Sequence, residues 1–553
     1  MFFSKFFQVI RNKIVIFLLF YLFFTILFFF LDPSYSEVHS YLQLIAQKNG
    51  KIALFIYPLC YLCMSCIGTL LLLAQSKLIR IFSFIFMFVS LGIFMAYRSI
   101  NAYGYYLDEA VDMIHWAGQY AEDAFSMFYD RFIGSTAIAI AITALIIFAS
   151  RYAPKIKTKI VLPCIGILGI FIAICGNILY LAFLSPIYFK IPLISYLAVF
   201  SPYYNGARNQ VSIQSVNAKK FPKIFLVVDE SIRGDHLSIN NPKVESTPFL
   251  KTLNLFNWGV CCAAGNTSAI SNLALQTGLK IEQVPDYSQQ ALHQSNIFQY
   301  AKVAGYKTVF IEGQNGSDMP VNFMLSSDFQ HIDEYIQILK ENPSPVEIDH
   351  LIAKKMVEIS QDSTPTFVYV NKIGCHFHYE NRYPQDKKYL QPTLTSVEWC
   401  NDEQRIYNSY HNAIRWTVDE FFHIFYNGAK DTNFLLFYTS DHGQSFFEHN
   451  IPSPTNIVCN PPISQANTPL FVLATQESYS NFSHLVKKRC EEDHNNVSQF
   501  QIFSSILHCM GYSLEDLTQY EQTLFIPQQK NLKFISGNAF GIGVYYINSW
   551  KIK

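Results

Sequence analysis

Asp229 and Glu230 follow the apolar run Ile224 to Val228, so two adjacent carboxylates leave the end of a buried strand. Thr267 and Ser268 precede a helix-like run that ends at Thr277-Gly278, which sets a hydroxyl at a helix start. Asp441 and His442 close a second apolar run, Phe434 to Tyr438. Carboxylate, hydroxyl, carboxylate and imidazole form an O3N donor set of the kind that suits a zinc-class ion. A hydroxyl is a poor nucleophile at neutral pH, and a divalent cation lowers its pKa and delivers an alkoxide. Backbone N–H groups at a helix N-terminus would hold phosphoryl oxygens beside it. This chemistry is phosphoryl-group transfer through a covalent enzyme intermediate.

Positioning these residues takes a sheet. Ile224 to Val228, Thr308 to Ile311, Thr366 to Val370, Phe434 to Tyr438 and Leu470 to Ala474 read as buried strands, separated by segments long enough for helices. Asn296 to Ala304 reads as a helix stopped by Gly305. Residues 211–553 are therefore expected to form an α/β domain with a mostly parallel central sheet, its ligands at the carboxyl ends of strands.

The first third of the chain is of another kind. Apolar stretches run from Ile14 to Leu31, Ile52 to Ala74, Ile79 to Tyr97, Ile133 to Ser150 and Ile160 to Leu184, each near the length that crosses hydrocarbon. Forty-nine Phe and 34 Tyr suit such segments and their interfaces. Lys5, Arg11 and Lys13, then Lys77 and Arg80, then Arg151, Lys155, Lys157 and Lys159 fall in alternate connections, which places those on the cytoplasmic side. The acidic connection from Arg98 to Arg131, with amphipathic helical pieces, lies outside, and so does everything after residue 185. The expected organisation is a five-span transmembrane domain over 1–184, a linker along the membrane over 185–210 and an external catalytic domain over 211–553. The spans hold essentially no ionisable residues, so they anchor rather than transport. Cys60, Cys63 and Cys66 lie in a Leu-rich span and read as packing.

Lys and Arg number 41, as do Asp and Glu, which argues against a nucleic-acid partner. Cys261, Cys262, Cys375, Cys400, Cys459, Cys490 and Cys509 fall in an oxidising compartment, where one or two disulfides with free thiols remaining are expected.

The three motifs resemble the alkaline phosphatase and sulfatase superfamily, and with the preceding spans the chain looks like the membrane phosphoethanolamine transferases. The resemblance implies zinc held by Glu230, a hydroxyl of Thr267-Ser268, Asp441 and His442. It implies a donor phosphatidylethanolamine, a lipid A or other envelope glycan acceptor, a multi-pass bacterial inner-membrane location with the catalytic domain in the periplasm, and a monomer. The family's Gly-x-His-Gly-Pro stretch is matched in part by Gly374-Cys375-His376-Phe377-His378, which sets His376 toward substrate or a second metal, with His378 and His449 as further candidates. Asp229 stands where those transferases usually have Gly and resembles the paired metal-binding acids of sulfatases. In the superfamily's motifs the nucleophile stands three residues before a Ser and ten before the Gly of a Thr-Gly pair, which favours Ser268 over Thr267. Adjacent residues at a helix start point about 100° apart, so only one of them can face a metal.

Related chemistries share these motifs. A sulfatase needs Cys or Ser followed by x-Pro-x-Arg, absent after Ser268, so a sulfatase-like phosphodiesterase is a weaker alternative. A glycerol-phosphate transferase of the teichoic-acid synthase type is another. Asp235-His236 and Arg233 read as structural.

Overall fold

The computed structural model describes residues 2–32, 51–101, 129–176, 184–200, 203–215, 221–317, 320–394, 402–448, 460–486, 488–527, 531–541 and 545–551, with 42, 46 and 181. The chain divides into two compact units, residues 1–202 with 542–544, and residues 203–541 with 545–553. The acidic connection after Arg98 lies almost wholly outside the described residues.

Helices α1 (Phe2–Leu31), α2 (Ala53–Leu72), α3 (Lys77–Asn101), α4 (Tyr129–Tyr152) and α5 (Thr158–Cys175) make up most of the first unit. All five are long and apolar enough to cross a membrane, with apolar cores of 18 to 24 residues. Large side chains such as Phe55 and Ile174 stand 77% and 78% exposed, which is costly in water and favourable in hydrocarbon. The chain is a multi-pass membrane protein.

The fifth span is shorter than its apolar run: α5 ends at Cys175. The segment expected as a linker carries a helix of its own, α6 (Ile187–Phe200). Ile187, Ile191, Ile194 and Ala198 recur at helical spacing and are buried, a periodicity that outweighs the internal Pro192. Tyr188 packs its ring on Phe24 and Phe28 of α1, and Lys190 pairs with Asp32 at 2.6 Å.

The second unit is built on a seven-stranded sheet. Its strands are β1 (Lys223–Asp229), β2 (Leu255–Cys262), β3 (Lys307–Glu312), β4 (Glu334–Gln337), β5 (Thr366–Asn371), β6 (Leu435–Ser440) and β7 (Asn467–Ala474), in the order β2-β7-β6-β1-β5-β3-β4. Neighbours from β6 to β4 run parallel, and only β7 is reversed. The expected fold, membrane helices followed by an α/β domain on a mostly parallel sheet, is the observed one. Strand side chains alternate between faces, so Ile224, Leu226 and Val228 enter one apolar cluster while Phe225 and Val227 enter the other. Both faces being covered explains why β1 reads as a continuous apolar run. Strands β8 (Lys533–Gly537) and β9 (Tyr545–Ser549) form a separate hairpin.

Helix α7 (Ser268–Thr277) follows β2 and ends at Gly278, whose φ of +72° admits the left-handed turn closing it onto the Ala274 carbonyl. Helix α8 (Ile297–Val303) is the helix expected over Asn296 to Ala304: Asn296 and Gln299 cap one another reciprocally.

Candidate active site

The carboxyl ends of β1 and β6 are neighbours, with Asp229 in register with Ser440, so the residues just beyond them converge. Glu230, Asp441 and His442 meet there, each buried, their ligand atoms all within 4.8 Å of one another. Among the described residues this is the one group of three or more metal-capable side chains. Ser268 joins it from the start of α7, its Oγ 3.3 Å from Glu230 Oε2 and 3.5 Å from His442 Nε2.

Local bonds fix each ligand's aim. Asp441 Oδ1 accepts N–H bonds from Ser231 at 2.9 Å and His442 at 2.6 Å. His442 Nδ1 lies 2.6 Å from the Gly443 carbonyl, so Nδ1 carries the proton and Nε2 offers its lone pair to the cluster. Burial, then the facing Glu230, push the Asp441 carboxyl up to about 7. Burial pulls the His442 imidazole down, but Asp441 and Glu230 carry it above its ordinary value.

These residues fit a metal ion. Asp441 Oδ2 is buried without a hydrogen-bond partner, and it lies 3.5 Å from the same His442 Nε2 that faces Ser268. A buried carboxylate oxygen left unpaired carries a large desolvation cost, and a cation at this point would offset it.

The other hydroxyl goes elsewhere. Thr267 occupies the cap position of α7 in an extended conformation, and its side chain makes no capping bond. Asp229, expected as a further ligand, is directed away from the cluster. Its Oδ1 accepts the Glu230 N–H at 2.9 Å, and its Oδ2 takes the Tyr438 hydroxyl at 2.7 Å and the Lys372 ammonium. With Oδ2 in a buried ion pair and Oδ1 on the Glu230 N–H, Asp229 is not placed to ligate. Burial pushes its carboxyl up to about 6 against the pull of Lys372.

The loop after β5 supplies the histidines. His376 is exposed, with Nδ1 2.8 Å from the Phe377 carbonyl, and partial loss of hydration, then the nearby Arg382 charge, pulls its imidazole down to about 4. His378 is buried against the Phe377 ring, and neither belongs to the metal-capable group. His449 lies outside the described residues. Arg233 is buried between Asp235 and Glu448 at 2.6 and 2.7 Å, and His236 bonds His411 at 2.9 Å, as structural parts.

Gln314 does not stand out in the sequence. Its amide donates to Glu230 Oε2 at 3.1 Å and to the Lys372 carbonyl at 2.7 Å. The one signal for it is its place just past the run Thr308 to Ile311, at another strand's carboxyl end. Glu312 orders that turn, accepting the N–H groups of Gln314 and Asn315.

The disulfide expectation is corrected for the described cysteines. Cys261, Cys262, Cys375, Cys490 and Cys509 are free thiols, four of them buried in the packed interior, while Cys400 and Cys459 lie outside the described residues.

The family profile named Sulfatase matches residues 222–512, more than half of the chain. The chain belongs to the sulfatase family. Among curated relatives, the Kdo(2)-lipid A phosphoethanolamine 7''-transferase of Escherichia coli K12 is 24% identical over 319 residues, 56% of this chain and 55% of that protein. Phosphoethanolamine transferase EptA of the same organism is 22% identical over 304 residues, 53% and 54% of the two chains. This member of the family thus spans about half the length of the curated relatives it matches. Two solved structures share the fold. The integral membrane lipooligosaccharide phosphoethanolamine transferase A of Neisseria meningitidis aligns over 90% of this chain and 96% of that one, with a TM-score of 0.61 at 16% identity. The C-terminal periplasmic domain of Escherichia coli EptC, solved in complex with zinc, aligns over 62% and 96%, with a TM-score of 0.51 at 19% identity. The family that the sequence motifs resemble is thus the one to which these relatives belong.

Proposed function

We propose that the chain is an inner-membrane phosphoethanolamine transferase that moves the group from phosphatidylethanolamine to lipid A or another envelope glycan. The observation that carries this reading is Ser268 Oγ at 3.3 and 3.5 Å from Glu230 and His442, inside a buried group with an unpaired carboxylate oxygen. The curated relatives' named activity supports the transferred group and the acceptor. Alternating basic connections support a periplasmic catalytic domain.

Glu230, Asp441 and His442, with Ser268, would hold a zinc-class ion, which when bound lowers the pKa of the serine hydroxyl and offsets charge on the phosphoryl group. Ser268 Oγ attacks the donor's phosphorus. A serine–phosphorus bond forms, the bond from phosphorus to the glycerol oxygen breaks, and diacylglycerol leaves. Neutral His376 passes the proton released from the Ser268 hydroxyl to the leaving oxygen, and its exposed side chain suits a group that meets substrate. An acceptor oxygen then attacks the same phosphorus, the bond from Ser268 Oγ to phosphorus breaks, and His376 passes the acceptor's proton back to Ser268 Oγ. N–H groups at the start of α7 hold the phosphoryl oxygens during both steps.

Mass spectrometry of lipid A and envelope glycans, with and without expression, tests this: an added phosphoethanolamine is expected. Unchanged glycans, together with no diacylglycerol released from phosphatidylethanolamine, reject it.

A further inference from the structure

We propose that Lys372 is a positioning residue, whose buried ammonium fixes the two backbone segments that carry Glu230 and His376. The inference rests on the reading of that site as a metal-assisted phosphoryl-transfer centre. Lys372 follows β5, and its side chain is fully buried. An ammonium out of water needs acceptors for its three N–H bonds. Asp229 Oδ2 and the Thr417 carbonyl at 2.6 Å accept two of them, Asp349 Oδ2 stands 3.6 Å away as a second ion partner, and the Phe421 ring lies 4.3 Å away.

Each of these three partners leads to the site. Asp229 Oδ1 holds the N–H of Glu230, the residue that turns into the metal-capable group. Asp349 accepts the N–H groups of Ile373 at 3.2 Å and Gly374 at 3.1 Å, which shapes the turn leading to His376. Thr417 lies in a widened π-type turn, Arg415–Asp419, and its hydroxyl lies 3.6 Å from Cys375 Sγ on the same loop. The two segments also bond directly, the Cys375 N–H donating to the Glu230 carbonyl at 3.0 Å. Gly374 makes the approach feasible: its φ is +47°, and a Cβ there would sit 2.2 Å from Asp229 Oδ1. Lys372 also reaches the site through its own carbonyl, which anchors the Gln314 amide bonded to Glu230.

A buried ion pair is a poor way to gain stability, since an apolar pair of similar volume often does as well or better. Charges placed between two segments that both carry site residues are better explained by the geometry they impose.

The test compares full-length Lys372→Met, Asp229→Asn and the apolar double variant Asp229→Leu/Lys372→Met, purified in detergent. Unfolding midpoint, zinc affinity by chelator competition, and kcat and KM for diacylglycerol release from phosphatidylethanolamine micelles are measured. Each variant that folds should bind zinc about tenfold more weakly and lose about tenfold in kcat, with KM within about twofold. The double variant should regain part of the stability lost by Lys372→Met, since it removes one of the two buried carboxylates left uncompensated, but neither the zinc affinity nor the kcat. If Lys372→Met fails to fold, the double variant alone decides. A double variant with the zinc affinity and kcat of the unaltered protein shows a merely structural pair and overturns the inference. Ser268→Ala separates the two levels: full diacylglycerol release by Ser268→Ala, or no zinc uptake by the unaltered protein, overturns the reading of the site and the inference with it.

Discussion

The corner between β1 and β6 and the loop after β5 serve the proposed transfer with opposite construction. At the corner, Glu230, Asp441 and His442 are buried, and backbone groups of Ser231, His442 and Gly443 fix how Asp441 and His442 point. On the loop, His376 stands exposed, one residue away from the buried Cys375. Preorganised donors suit an ion whose geometry is the same in every turnover. An exposed imidazole suits leaving and accepting oxygens that differ between the two halves of a transfer.

The largest expected effect lies at the corner. Ser268→Ala removes the proposed nucleophile, so diacylglycerol release and the phosphoryl adduct should both fall about a thousandfold or more, read by turnover and peptide mapping. Next comes His442→Ala, which leaves Glu230 and Asp441 facing one another without the imidazole. Zinc content and turnover should fall together, by about a hundredfold in affinity, measured by elemental mass spectrometry and chelator competition. The loop should behave otherwise: His376→Ala should slow transfer about a hundredfold while zinc content is unchanged. Loss of zinc in that variant would erase the distinction between the two regions and make His376 a ligand.

The corner is the more legible region in sequence because strands buried on both faces are continuous apolar runs, and polar residues at their ends stand out. Glu230, Asp441 and His442 all show themselves in that way. Asp229 misleads because adjacent strand-end residues point in opposite directions, and sequence does not say which of two neighbours faces the ligand. Its partner Lys372 lies 143 positions away, a pairing that only the parallel register of β1 with β5 creates. Strand β2 escapes a sequence reading because Asn257 and Gly259 interrupt its apolar pattern, at the irregularity where it pairs with β7. Helix α6 reads as a linker because Pro192 masks the period of its isoleucines.

A smaller effect should come from Glu312, which bonds the Gln314 backbone but no ligand of the proposed metal directly. Burial pushes the Glu312 carboxyl up from 4.5 to about 7, although Gln314, Asn315 and Asn371 donate to it. The folded chain then keeps a proton that the unfolded chain releases, so stability falls as pH rises between about 4.5 and 7. The lost stability is of order 1–3 kcal/mol, and Glu312→Gln should remove that slope. Unfolding midpoints of both proteins at about pH 5 and pH 7.5 check this. Equal slopes would mean that Glu312 ionises in place.

The smallest effect is expected beside the largest. Thr267 and Ser268 are adjacent, both partly exposed, and both carry hydroxyls at the start of α7. Ser268 Oγ is the one directed to Glu230 and His442, while Thr267 is the extended residue before the first turn. A threonine in that position often caps the helix and is worth about 1 kcal/mol. Here the capping bond is absent, so Thr267→Ala has no bond to lose. Its unfolding free energy should change by less than about 0.5 kcal/mol, and its turnover by less than about twofold. The serine variant at the next position should be inactive at nearly unchanged stability, since Ser268 is only partly buried. Peptide mapping of the trapped adduct decides between them directly. An adduct on Thr267, or a Thr267→Ala enzyme as inactive as Ser268→Ala, would require the start of α7 to rotate by one residue on binding the donor, and the assignment of Ser268 would be reversed.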